Sequence, residues 1–153
     1  MSMNTVPERL AALRAAMAAN GVAVYLIPVG DPHASEYLPC HYTSLTWFSG
    51  FHGENSNFVV TRTESALWAD GRYFVQAEKE IAGTEIKLQR MGEPGVPTVE
   101  KYCANALNEG EALGLCGLTA SCGLVRGVQK KLDAKKGTIK TLNLEDELWT
   151  EGR

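Results

Sequence analysis

Residues 57–74, NFVVTRTESALWADGRYF, predict two strands, a tight connection and the start of a helix. Residues 57–61 and 65–68 are largely apolar and contain β-branched or aromatic side chains, and a short polar turn separates them. We therefore expect these two strands to form an antiparallel hairpin. After the second strand Gly71 interrupts the pattern, and apolar residues then recur at helical spacing as far as Ile81.

Helical and strand patterns alternate from this stretch toward both ends of the chain. Further strands are predicted at residues 22–28, 85–89, 112–116 and 138–142, and helices at residues 7–20, 72–81, 98–107, 121–136 and 143–149. Residues 44–48 favour a short helix or turn, and residues 30–42 a long loop. Thr98 and Ser121 should cap the helices that follow them, and the acidic residues 145–147 suit a helix start. About six strands and five helices in alternation indicate an α/β fold, in which helices flank a mixed six-stranded sheet.

Composition and charge exclude several functional classes. Hydrophobic residues make up 44% and charged residues 22%, which is typical of a globular protein, and we expect a single domain over residues 1–153. The net charge of −3 gives no basic surface for nucleic acid, and no apolar stretch is long enough to cross a membrane. There is no basic-then-apolar signal sequence, and the four cysteines form no close pair. We therefore expect a cytoplasmic protein with free thiols, with Cys103 and Cys116 in the core.

Three histidines and a cysteine fall within twenty residues: His33, Cys40, His41 and His52. Zinc favours such ligands, and a cysteine can form a nucleophilic pair with a histidine. The spacings match no compact zinc pattern, and no sequence signature orients a Cys40 nucleophile. We predict neither a metal ligand nor a catalytic residue in this chain. A small hydrolase that uses Cys40 with His41 or His33 is the alternative.

The connection between strand and helix around Arg72 is the best candidate for a binding site. Ligands bind to α/β sheets where strands end. The planar guanidinium of Arg72 offers a fork of donors for a carboxylate or a carbonyl group. Asp70 is expected to cap the start of the helix. The alternative interpretation is that Arg72 only pairs with an acidic side chain at the surface.

These motifs resemble the creatinase/prolidase family, and within it the N-terminal domain of Xaa-Pro aminopeptidases. The resemblance is carried by ERLAALR at 8–14, YLIP at 25–28, GDPHASEY at 30–37, FSGFHG at 48–53 and WADGRYFVQA at 68–77. It covers residues 8 to about 90, and the closing Leu148-Trp149 also fits. Family members follow Ser-Gly-Phe-x-Gly with Ser-Ala-Gly, whereas this chain has Glu-Asn-Ser-Asn at 54–57. Asparagine tolerates a positive φ, so we expect the turn to survive.

The resemblance implies a fold, an activity and a place for the chemistry. The fold would be the family's ribonuclease-H-like arrangement. Family members are metallopeptidases that release an N-terminal residue preceding proline. They hold two divalent metal ions, here expected to be manganese, in a separate C-terminal catalytic domain. This chain stops before such a domain, so we expect a fragment of a longer enzyme, with no cofactor of its own and no activity alone.

In the family, the first domain walls the substrate cleft and helps to assemble subunits. The resemblance therefore implies a homo-oligomer that acts on a peptide with proline in the second position, with no nucleic-acid or membrane partner. It assigns substrate binding to Arg72 and, more weakly, to His33 on the loop of residues 31–37. A stand-alone module that binds a protein partner is the alternative.

Overall fold

Helices and strands alternate along the chain, as the sequence pattern predicts. The computed structural model describes residues 3–153. Its strands are β1 (Val24–Pro28), β2 (Asn57–Thr61), β3 (Ser65–Ala69), β4 (Lys87–Arg90), β5 (Ala112–Leu115) and β6 (Thr138–Thr141). Its α-helices are α1 (Val6–Ala19), α2 (Ser44–Ser49), α3 (Phe74–Glu80), α4 (Val99–Ala106), α5 (Cys122–Leu132) and α6 (Leu144–Leu148). The described residues thus form one α-helix more than predicted, because α2 is a helix rather than a turn.

The six strands form one mixed sheet in the order β4-β3-β2-β1-β5-β6. β2 is antiparallel to both of its neighbours, and the other pairs are parallel. The predicted hairpin of β2 and β3 is confirmed, with Asn57 opposite Trp68 and Val60 opposite Ser65. Five strands therefore point the same way, and their carboxyl ends lie at one edge of the sheet.

Helices cover both faces of the sheet because the strands are apolar on both sides. Along β1, Tyr25 and Ile27 pack with α1, α2, α3 and α6, whereas Val24 and Leu26 pack with α4 and α5. Every residue of β1 is buried, which is typical of a strand covered on both faces. The α/β class predicted from the sequence is confirmed.

Side-chain caps fix the starts of the longer helices. Thr98 and Ser121 each accept a hydrogen bond from the backbone N–H three residues ahead, as predicted. A third cap, Thr5, was not predicted. Thr5 and Glu8 form a reciprocal capping box at the start of α1. Within residues 3–153 no helix is both long and apolar enough to span a membrane.

The cysteines divide by burial, which gives a prediction for their reactivity. Cys103 and Cys116 are buried, as expected, and Cys40 and Cys122 are exposed. Burial raises the pKa of the Cys103 thiol, which disfavours the reactive thiolate. We expect a maleimide to label Cys40 and Cys122 in the native protein, and the other two only after unfolding. Mass spectrometry of tryptic peptides would check this. Rapid native labelling of Cys103 would contradict the packing of α4.

Candidate functional site

The carboxyl edge of the sheet contains a topological switch point between β1 and β5. These two strands are parallel neighbours. The chain leaves β1 toward α2 on one face of the sheet and leaves β5 toward α5 on the other. Connections that diverge to opposite faces open a crevice, and α/β proteins bind ligands there.

An open cleft of about 1000 Å³ occupies this position, and we name it the switch-point cleft. Its walls come from the loop after β1, the start of α2, the turn before β2, and the loop from β5 into α5. The lining residues are Pro28–Pro32, Ala34–Leu38, Tyr42, Thr43, Leu45, Thr46, His52–Asn57, Gly117–Cys122 and Leu124. The predicted loop of residues 31–37 thus forms one wall, although His33 itself is not among the lining residues.

Arg72 lies at the same edge of the sheet, on the connection after β3, in a hydrogen-bonded fork with Asp70. Asp70 Oδ1 accepts hydrogen bonds from the backbone N–H of Arg72 at 2.9 Å and from its Nε at 3.2 Å. Asp70 Oδ2 accepts one from Arg72 Nη2 at 2.9 Å. The hydrogen bonds from the Arg72 side chain are the main cause that lowers the pKa of the Asp70 carboxyl.

The prediction that Asp70 caps the helix is wrong. Its carboxylate is used by the backbone and side chain of Arg72, two residues on, which holds the chain in a turn. Helix α3 consequently begins at Phe74, with Tyr73 as a cap residue whose side chain makes no capping bond. The predicted helix started two residues too early for this reason.

The guanidinium of Arg72 keeps a free edge. Its side chain is 65% exposed, and its Cζ lies 5.2 Å from the centre of the Tyr73 ring. Asp70 takes the edge formed by Nε and Nη2, whereas Nη1 has no hydrogen-bond acceptor among the described residues. The fork of Nη1 and Nη2 is therefore available to a carboxylate or carbonyl group. The alternative interpretation, that Arg72 pairs with an acidic side chain, is also correct, because Arg72 pairs with Asp70. This pair leaves the Nη1–Nη2 fork open.

His33 is less well placed than Arg72. It is exposed, and its backbone N–H donates to Asp31 Oδ1 at 2.8 Å. The N–H of Ser35 donates to the same oxygen at 3.0 Å and is the main cause that lowers the pKa of Asp31. Because β2 lies between β1 and β3 in the sheet, the segments that carry His33 and Arg72 start about 10 Å apart. Within the described chain, no hydrogen bond or ring contact joins the two side chains.

The other two histidines each lie close to a different acidic side chain. His41 Nε2 lies 3.5 Å from Asp146, and His52 Nδ1 lies 3.3 Å from Glu80. Over residues 3–153, no three His, Cys, Asp or Glu side chains are close enough together to hold a metal ion. The zinc site considered from the spacing of His33, Cys40, His41 and His52 is therefore not assembled.

Comparison with known proteins identifies the family of this chain. Residues 9–148 match the creatinase/prolidase N-terminal domain. The chain belongs to this family. The resemblance seen in the sequence motifs is confirmed, and the mixed six-stranded sheet is that of other creatinase N-terminal domains.

Relatives of this creatinase N-terminal domain include much longer proteins. Aminopeptidase P2 of Arabidopsis thaliana is 37% identical over 97% of this chain, which spans 21% of that protein. X-prolyl aminopeptidase of Caenorhabditis elegans, described as a cytosolic enzyme with a di-nuclear active site, superposes with a TM-score of 0.88 at 32% identity. That match covers 99% of this chain and 26% of the other. The N-terminal domain of the peptidase PepQ of Mycobacterium tuberculosis shares the fold, with a TM-score of 0.64 at 24% identity.

One residue that the sequence did not single out as functional joins the cleft to Arg72. Asn55, which stands in the departure from the family's Ser-Ala-Gly pattern, has a φ of +47°, a conformation that asparagine tolerates. Its Nδ2 donates to Asp70 Oδ2 at 3.2 Å, and Asn55 also lines the switch-point cleft. The signal in the sequence was the departure itself, because an alanine or glycine there could not make this bond.

Proposed function

We propose that this chain is the non-catalytic N-terminal domain, residues 1–153, of a metal-dependent Xaa-Pro aminopeptidase. The whole enzyme would be cytoplasmic and would remove an N-terminal residue that precedes proline. The observation that supports this proposal is the extent of the matches. Aminopeptidase relatives match nearly all of this chain, yet the chain spans only 21–26% of their length. The domain would wall the substrate cleft and help to assemble a homo-oligomer.

The metals of such an enzyme would lie outside this chain. A site for two divalent ions, manganese in this proposal, needs several carboxylate or imidazole ligands close together. The described residues supply no group of three, so they do not fit a di-nuclear centre. In this proposal, the domain contributes contact with the substrate.

Arg72 is the residue that would make this contact. Its Nη1–Nη2 fork is exposed at the carboxyl edge of the sheet, and Asp70 restrains the opposite edge of the guanidinium. A restrained fork loses less side-chain entropy when it binds a peptide carbonyl or carboxylate than a free side chain would. His33, exposed on the loop after β1, is a weaker second contact.

The isolated chain provides a direct test. We expect it to release no alanine from the neutral tripeptide Ala-Pro-Ala, with or without Mn²⁺. The tripeptide should still bind weakly and shift the NMR signal of the Arg72 Nε–H group, and Arg72→Ala should abolish this binding.

Two outcomes would contradict the proposal. One is alanine release that scales with protein concentration and is lost on chelation, which would make the chain an enzyme. The other is saturable binding that leaves the Arg72 signal unchanged and survives Arg72→Ala, which would favour a stand-alone binding module.

A further inference from the structure

We propose that the switch-point cleft binds an extended peptide segment that carries basic side chains next to apolar ones. This site is separate from the Nη1–Nη2 fork of Arg72, which is not among the residues that line the cleft. The proposal does not depend on the function proposed above.

The charge of the cleft points to a cationic ligand. Asp31, Glu36 and Glu54 line it, and none of the described lining residues is Lys or Arg, although about one residue in ten of the chain is Lys or Arg. Asp31 is buried and held by two backbone N–H groups. Glu36 and Glu54 are exposed, and neither forms a salt bridge within the described chain. Arg72, on the connection after β3, interacts electrostatically with Glu54.

Apolar side chains flank these carboxylates. Tyr37 is 81% exposed and Leu118 is 61% exposed, and both line the cleft. They come from different walls, Tyr37 from the loop after β1 and Leu118 from the loop after β5. Among the described residues, only Val75 is another large hydrophobic with comparable exposure. Exposed apolar residues gathered at one concave site mark a binding surface.

The combination favours a peptide over other ligands. A simple cation would make no use of Tyr37 and Leu118, and nucleic acid would be repelled by a wall that lacks Lys and Arg. A volume of about 1000 Å³ is at the upper end of small-molecule sites and accepts several residues. Helix α5 begins at the cleft with Cys122, and the first-turn N–H groups of a helix can donate to peptide carbonyls.

Calorimetry on the 153-residue chain at low salt provides the test. The probe is the proline-free, blocked pentapeptide acetyl-Arg-Leu-Arg-Tyr-Gly-amide, and its matched control has citrulline in place of both arginines. We expect saturable binding of the arginine peptide and about five- to tenfold weaker binding of the citrulline peptide. Added salt should lower the affinity of the arginine peptide. Equal affinities for the two peptides, or no binding of either, would overturn the proposal.

Variants locate the site. Changing both exposed acids, Glu36→Gln with Glu54→Gln, should reduce affinity for the arginine peptide by a similar factor, and Tyr37→Ala should also weaken it. The matched control is Glu109→Gln, because Glu109 is an exposed acid outside the cleft that pairs with Lys136. It should leave the affinity unchanged. Unaltered binding in the double variant would refute the site.

Discussion

Replacing Tyr25 by phenylalanine is expected to lower the free energy of unfolding by about 3 kcal/mol, because three buried polar groups lose their partner. The Tyr25 hydroxyl donates to the Leu142 carbonyl at 2.8 Å and accepts from the Leu144 N–H at 3.2 Å. It also hydrogen-bonds the carboxyl group of Glu145. Tyr25 is fully buried and Glu145 is 2% exposed. For a chain of this size the melting temperature should fall by about 6–12 °C.

The Tyr25 hydroxyl faces two acceptors, the Leu142 carbonyl and the Glu145 carboxyl group. The Tyr25 hydroxyl has one hydrogen, and the Leu142 carbonyl can only accept. When that hydrogen serves Leu142, Glu145 must supply the hydrogen of its own bond to Tyr25, which requires a protonated carboxyl. Burial is the main cause that raises the pKa of Glu145, and Asp146 adds to it, whereas the hydrogen bond with Tyr25 and the charge of Arg153 oppose it. Burial, and then the charge of Glu145, also raise the pKa of Tyr25.

A pH dependence follows from this proton. Because the pKa of Glu145 is higher in the folded than in the unfolded chain, its contribution is complete below the ordinary carboxyl pKa of about 4.3. It is then lost as the pH rises through the raised, folded-state pKa. Glu145→Gln supplies a neutral donor and should flatten this part of the profile of unfolding free energy against pH. Glu147→Gln, an exposed change in the same helix, is the control. An unchanged slope in Glu145→Gln would contradict a protonated Glu145.

The sequence predicts features set by neighbours in the chain. Caps such as Thr98 and Ser121 depend on an amide three residues ahead, and the hairpin of β2 and β3 depends on two strands and the turn between them. It does not predict features set by distant residues. Glu145, interpreted as part of an acidic helix start, is buried against Tyr25, which lies 120 positions away. Its neighbours Asp146 and Glu147 are exposed and fit the interpretation.

The candidate site was also predictable only where local sequence determines it. Arg72 stands out because a strand, a turn and a helix succeed one another around it. The fork that holds it was missed because Asp70 can either cap a helix or bond two residues on, and local sequence does not decide between these. The switch-point cleft was missed as well. It exists only because β1 and β5, almost ninety residues apart in sequence, become neighbours whose connections leave on opposite faces.

In the proposed full-length aminopeptidase, replacing Arg72 by alanine is expected to reduce kcat/KM for an Xaa-Pro peptide about ten- to a hundredfold. The loss comes from the charged hydrogen bonds of the Nη1–Nη2 fork, which the exposed side chain can make to a peptide. Arg72→Lys should recover only part of the rate, because an ammonium group cannot form the planar fork.

Thermal unfolding distinguishes this role from a structural one. The melting temperature of the 153-residue chain should barely change in Arg72→Ala, because an exposed ion pair contributes little to stability. Arg62→Ala is a matched control. Its side chain is 60% exposed and pairs with Glu111, but it lies in the turn between β2 and β3, at the opposite edge of the sheet. It should leave both quantities unchanged. A large loss of thermal stability in Arg72→Ala, with unaltered kinetics in the folded fraction, would mean that Arg72 holds the connection after β3 rather than the substrate.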